Sequence, residues 1–216
     1  MPAALTLVLA SQSPARLATL ASAGVTPEVV VSDVDEPAVL AVARARAEGD
    51  LQPGDAVLVL AQAKAESVSR QVEDEVSALV LGCDSMLELD GEIVGKPADA
   101  DEARRRWRSM RGRSGVLHTG HWVVDVRDDE DGGTGATLGA SSATTVHFAD
   151  LDDDEIDAYV ATGEPLHVAG AFTIDGLGGP YIERVEGDHH GVVGLSLPLL
   201  RELLGDIDVA WRDLRG

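Results

Sequence analysis

Residues 79–97 read Leu-Val-Leu-Gly-Cys-Asp-Ser-Met-Leu-Glu-Leu-Asp-Gly-Glu-Ile-Val-Gly-Lys-Pro, the stretch that most restricts how this chain can fold. An apolar run ends in Gly82-Cys83-Asp84, a second strand-like segment follows, Asp90-Gly91 turns the chain, and a third run delivers Gly95-Lys96-Pro97. Extended segments on either side of an Asp-Gly pair predict a β-hairpin. Such a hairpin would hold the carboxylate of Asp84 and the ammonium of Lys96 on a rigid support, an arrangement suited to a metal and a phosphate.

Companions for this pair are sought along the chain. Leu5 to Ala10 reads as a buried first strand leading into Ser11-Gln12-Ser13-Pro14-Ala15-Arg16. Ser13 suits an N-cap and Pro14 a first helical position, so a helix is expected from Pro14 to about Ala23, stopped by Gly24. Its N-terminus would offer backbone N–H groups, two hydroxyls and Arg16 to an anion; ordinary capping explains the same residues. Glu28 to Ser32 reads as a second strand, followed by the carboxylates Asp33, Asp35 and Glu36. Hard divalent cations take such oxygen ligands, and an acidic surface loop is the other reading. Helical periodicity runs from Pro37 to Glu48 and from Asp55 to Asp74, and the second helix sets Lys64 among small residues that would let backbone or a ligand approach.

Beyond the hairpin, Ala100 to Met110 predicts an Arg-rich helix whose charges are expected to pair within the chain. Val116 to Val126 and Ala136 to Phe148 read as strands around an acidic surface loop, residues 128–136. His118 and His121 fall on opposite faces of their strand, which argues against a shared metal. Leu151 to Thr162 predicts a helix, Glu164 to Gly179 a Gly-rich segment, Tyr181 to Val185 a strand, Gly187 to Gly194 a polar loop and Ser196 to Leu204 a closing helix. Glycines so dense suggest backbone lying close to a ligand or a neighbouring strand.

Composition narrows the function. A chain of 216 residues, 44% of them hydrophobic, supports one core or one domain with two lobes, and no repeat or linker divides it. Aromatics make up only 3%, so Val, Leu, Ala and Ile are expected to fill the core. A net charge of −21 repels nucleic acid and anionic membranes, so neither is expected as a partner. The single cysteine, Cys83, forms no internal disulfide, and a cytoplasmic setting is expected. The apolar run Ala3 to Ala10 is too short to span a bilayer and has no basic residue before it. Only two of the seventeen basic residues are lysines, Lys64 and Lys96. Either codon usage spared them, or these sites need a compact ammonium in place of a planar fork.

The order of motifs resembles the Maf family of nucleotide pyrophosphatases, relatives in fold of the inosine triphosphate pyrophosphatases. The likeness covers almost the whole chain: Leu9 to Arg16, Val34-Asp35-Glu36, Leu60 to Ala65, Gly82-Cys83-Asp84-Ser85, Gly95-Lys96-Pro97, Gly163-Glu164-Pro165, Ala169-Gly170-Ala171-Phe172 and Val193-Gly194-Leu195. It implies an α/β fold, 1–216 as a single domain, with an elongated mixed β-sheet flanked by helices and two lobes around a central cleft. It implies hydrolysis of a nucleoside triphosphate to the monophosphate and diphosphate with a divalent metal cation, Mg²⁺ or Mn²⁺, and so a small-molecule nucleotide substrate as partner. By this resemblance Asp84 is the proton acceptor, and Lys64 and Lys96 join it in the catalytic set. Ser11, Ser13, Arg16, Ser85 and Asp175 bind substrate, and Glu36 with Asp84 binds the metal. The set is chemically coherent, because attack of water at phosphorus needs a base, a Lewis acid and cations around the leaving group. A self-complementary homodimer is the common assembly for such proteins.

Two departures stand out. The usual Ser-Pro-Arg-Arg becomes Ser13-Pro14-Ala15-Arg16, so one arginine is missing. The pyrimidine-selective branch carries Asp-Lys-Ala-Gly-Ala-Tyr-Gly-Ile-Gln-Gly, whereas Val168 and Asp175 here replace its lysine and glutamine. The segment is nearer the branch that prefers 7-methyl-GTP, so a modified or other purine is expected in place of dTTP or UTP. Two rival readings remain at this point: a non-catalytic nucleotide-binding regulator of cell division, and a cysteine hydrolase built on Cys83.

Overall fold

A computed structural model describes residues 5–72 and 77–215. In chain order its elements are β1 Thr6–Leu9, α1 Pro14–Ser22, β2 Glu28–Val29, α2 Glu36–Arg46, α3 Pro53–Val72, β3 Ala78–Leu89, β4 Glu92–Val94, α4 Ala100–Met110, β5 Ser114–Asp125, β6 Thr137–Phe148, α5 Asp153–Ala161, β7 Ile182–Glu186, α6 His189–Val193 and α7 Leu197–Gly205. The strands form one sheet in the order β2-β1-β3-β5-β6-β7, with β4 paired to β3 off this path. β1 runs parallel to both β2 and β3, while the β3–β4 and β6–β7 pairs are antiparallel. The fold is therefore α/β with a mixed sheet and helices. Among the described residues no helix is long and apolar enough to cross a membrane.

The helices start where local chemistry directs. Ser13 caps α1, with its hydroxyl oxygen accepting from the backbone N–H of Arg16 at 3.4 Å and Pro14 in the first turn. Asp152 and Glu155 form a reciprocal capping box at α5, which satisfies two N–H groups that a bare helix end leaves orphaned.

The residues divide into two compact units. The first takes the chain up to Asp84, then Thr119–Ser142 and Gly194 onward; the second takes Ser85–His118 and Ala143–Val193. In the first unit strand alternation sorts the core. Leu7, Leu9, Leu79, Leu81 and Cys83 pack with Leu20 of α1 and Leu200, Leu203 and Leu204 of α7. Val8, Ala10, Ala78 and Val80 cluster with Ala65 and Val68 of α3. Strands covered on both faces read as continuous apolar runs, which is why β1 and β3 stand out in the sequence.

The second unit is built differently. Both phenylalanines and both tyrosines of the chain lie in its core, with the rings of Phe148, Tyr159 and Tyr181 edge-on to Trp107 of α4 at 5.8, 5.5 and 6.0 Å. The indole N–H of Trp107 donates to the Ala171 carbonyl at 2.8 Å. The aliphatic core expected from a 3% aromatic content thus describes the first unit only. The arginines of α4 pair within the chain as expected, Arg104 with Asp101 and Asp157, Arg106 with Glu102, Arg108 with Asp153.

Several boundaries differ from the sequence reading. Residues 79–89 are not two strand pieces but part of one unbroken β3. β2 stops at Val29 instead of Ser32, and the polar loop expected over Gly187–Gly194 contains α6, whose first N–H groups are received by the Asp188 carboxylate. α3 begins at Pro53, and its expected end at Asp74 lies outside the described residues.

Candidate active site

The register of β3 decides where Asp84 points. Even-numbered Ala78 and Val80 face α3, so alternation sends Gly82 and Asp84 to the same side. At Gly82 a Cβ would collide with the carbonyl of Ala61 and crowd the amide of Ala65, so only glycine lets α3 lie this close to the strand. Lys64, one residue before Ala65, then reaches Asp84 directly. Its Nζ lies 2.6 Å from Asp84 Oδ1 and 2.7 Å from Glu36 Oε1. Lys64 and Asp84 are both buried, whereas the Glu36 side chain is half exposed.

Burial raises the Asp84 pKa above the usual carboxylate range, and the cations Lys64 and Arg16 offset this only in part; Glu36 pushes in the same direction as burial. A carboxylate of raised basicity in a cationic setting suits a proton acceptor. Arg16 also ties down the N-terminal end of α1, donating from Nη1 to Ser11 Oγ at 3.0 Å and from Nε to the Gly194 carbonyl at 2.7 Å. Ser11 Oγ accepts from the Ser13 N–H at 3.2 Å as well. Ser11, Ser13, Arg16, Glu36, Lys64 and Asp84 thus all belong to the first unit.

Cys83 occupies the opposite face of β3, fully buried in the aliphatic core, where desolvation pushes its thiol up to about 11. A thiol that stays protonated at neutral pH and faces away from Asp84 is a poor nucleophile, which removes the cysteine-hydrolase reading.

Lys96, Ser85 and Asp175 belong to the second unit. Hairpin pairing runs from Leu89↔Glu92 to Leu87↔Val94, so Asp84 lies further back on β3 and Lys96 beyond the end of β4, both outside the β3–β4 pairing. The Lys96 carbonyl accepts from Arg106 Nη2 at 3.3 Å. Ser85 follows Asp84 on β3, and consecutive strand residues face opposite ways. Asp175 sits in the Gly-rich segment, which is organised by a residue the sequence reading gave no role. Glu164 Oε1 accepts from Tyr159 Oη at 3.0 Å, Thr173 Oγ1 at 2.6 Å and the Gly178 N–H at 3.0 Å, and its Oε2 accepts from the Leu177 N–H at 2.9 Å. Burial opposes the charge, but these donors overcome it and hold the Glu164 pKa below its ordinary value. Side chains at Gly176 or Gly178 would run into the Glu164 carboxylate or the Tyr159 hydroxyl. The clustered glycines were the available signal, since they let backbone close around one carboxylate.

Among the described residues, two groups could hold a cation. Glu36 and Asp84 bring two carboxylates to the same ammonium, an all-oxygen donor set that fits a hard divalent ion. In the second unit the ligand atoms of Asp188, His189 and His190 lie within 4.8 Å of one another, a mixed set better matched to softer metals. A groove of about 850 Å³ runs between α2 and α3, lined by residues such as Val39, Val42 and Val59, and none of the charged cluster lines it.

A family model described as Maf-like protein matches residues 6–207. The chain belongs to the Maf family. Among curated relatives, a nucleoside triphosphate pyrophosphatase of Salinispora tropica is 56% identical over 208 residues, 95% of this chain and 85% of its own. One of the same name from Streptomyces coelicolor is 53% identical over 208 residues, 96% of this chain and 93% of its own. A solved nucleoside-triphosphatase / dITP/XTP pyrophosphatase of Mycobacterium abscessus aligns over 68% of this chain and 76% of its own at 15% identity and a TM-score of 0.37, too loose a likeness to bear on fold or function. Residues 6–207 take in every Maf block named above, from Leu9 to Leu195, and all candidate site residues.

Proposed function

We propose that this chain is a nucleoside triphosphate pyrophosphatase that hydrolyses its substrate to the nucleoside monophosphate and diphosphate, with Asp84 as general base. The observation that carries the reading is the buried Asp84 carboxylate, held 2.6 Å from a lysine that also grips Glu36 and set in the field of Arg16. Asp84 orients a water and takes its proton as the water oxygen bonds to the α-phosphorus. The bond from that phosphorus to the bridging oxygen breaks, and diphosphate leaves with the electron pair. Lys64 and Arg16 stabilise the charge that builds on the phosphate oxygens. Glu36 and Asp84 are the residues that would hold Mg²⁺ or Mn²⁺, which when bound supplies neutralisation of phosphate charge and a more acidic water.

The family motifs add Lys96 to the phosphate-handling groups and Ser11, Ser13, Ser85 and Asp175 to substrate binding. In the Gly-rich segment Val168 and Asp175 depart from the pyrimidine signature, so the preferred base is a modified or other purine. Diphosphate release from a panel of canonical and methylated nucleotides, with Mg²⁺ and with Mn²⁺, tests activity and specificity together. A clear preference for dTTP or UTP overturns the purine assignment. Nucleotide binding with no turnover of any member overturns catalysis and favours the regulator.

A further inference from the structure

The loop that brings Glu36 to Lys64 is fastened by a second contact of matching spacing. Glu36 opens α2, and no residue of α2 is buried. Helices are held in place mainly by packing of a buried face, so the aim of Glu36 depends on polar contacts. Asp35 Oδ1 accepts from the Ala38 N–H at 3.0 Å and fixes the start of the helix. Glu36 meets Lys64 at 2.7 Å. Three residues before Glu36, Asp33 Oδ1 accepts from Ser67 Oγ at 2.7 Å. Lys64 and Ser67 are likewise three apart on α3 and therefore neighbours on one helix face. A helical serine commonly turns its hydroxyl back to a carbonyl of the preceding turn, but the buried Ser67 donates to Asp33.

We infer that Ser67 and Asp33 are positioning residues: their hydrogen bond sets the register of residues 33–36 along α3 and so holds Glu36 against Lys64. Without it the entry to α2 keeps its cap but loses one of two tethers, and Lys64 is left to Asp84 alone. The consequence for catalysis rests on the proposed function; the tether itself does not.

The experiment compares Ser67→Ala, Ser67→Thr and Asp33→Asn in the full chain, each also combined with Glu36→Gln. Amide hydrogen exchange over residues 34–38 and Mn²⁺ binding to the nucleotide-free protein are read beside kcat and KM. Ser67→Ala is expected to speed exchange there and to weaken Mn²⁺ binding about tenfold, the scale typical of groups that orient a metal ligand. It should lower kcat about tenfold while nucleotide KM stays within about twofold. Ser67→Thr, which keeps the hydroxyl, should restore all three, and in the Glu36→Gln background Ser67→Ala should lower kcat no further. Unchanged exchange in Ser67→Ala, or a kcat loss that adds in full to that of Glu36→Gln, overturns the inference. If the wild type turns over no nucleotide, the proposed function fails while the exchange and Mn²⁺ measurements still decide the tether.

Discussion

Asp84 and Glu164 are both hydrogen-bonded carboxylates, one in each unit, and their surroundings push them in opposite directions. Asp84 is buried beside the ammonium of Lys64, and burial raises its pKa. Glu164 receives two hydroxyls and two backbone N–H groups, all neutral, and its pKa is lowered. Neutral donors fixed to backbone and short side chains lock a charge in place, which suits a strut. Desolvation that the nearby cations only partly offset leaves a carboxylate ready to accept a proton, which suits a base. Under the proposed function the difference sets the proton acceptor in the first unit and a loop-holding carboxylate in the second.

The sharpest way to break this contrast is Asp84→Asn. Diphosphate release should fall about 10³-fold, in the range expected for losing a general base, while nucleotide still binds; substantial remaining turnover would show that the base lies elsewhere. Glu164→Ala should instead act on stability and on the Gly-rich segment. Loss of a carboxylate hydrogen-bonded by four groups is expected to cost about 2–3 kcal/mol in denaturant unfolding, with turnover of the best substrate reduced far less than in Asp84→Asn. Equal losses of kcat in the two variants would erase the distinction.

A pH series sharpens it further. Because the folded-state pKa of Glu164 is depressed, its contribution is fully present above the unfolded value of about 4.3 and is lost as pH falls through the folded one. The melting-temperature gap between wild type and Glu164→Gln should therefore be widest near neutral pH and close as the medium is acidified below about pH 4. A gap that widens with acid would contradict the strut. The smallest effect belongs to Cys83→Ala, on the far face of β3. Turnover should stay within about twofold, with a stability loss of about 1 kcal/mol for the lost buried volume, and native protein should resist thiol alkylation at neutral pH because the thiol sits at about 11.

The regular elements were largely legible. The apolar runs of β1 and β3, the Ser13-Pro14 start of α1 and the Asp90-Gly91 turn each carry a local signal that the fold obeys. The break expected after Asp84 failed because Gly82 serves a helix crossing and not a turn, and a lone glycine does not announce which. α6 was missed because a five-residue helix carries too little periodicity to be seen, and Asp188 caps it among polar residues that resemble a loop. The aromatic core around Trp107 escaped because its rings come from separate segments of the chain.

For the site, the sequence by itself determined the candidate groups: two lysines among seventeen basic residues, an acidic entry at Glu36, Asp84 two residues after Gly82 and a hydroxyl-bearing start to α1. Residue types and short spacings follow from local chemistry, which a linear reading captures. Only the tertiary structure decided that Lys64 serves both Asp84 and Glu36, that Cys83 faces the other way, and that Glu164 holds the Gly-rich segment. Those outcomes depend on strand register, on how closely a helix crosses a sheet, and on burial, all of which are set by contacts between residues distant in sequence.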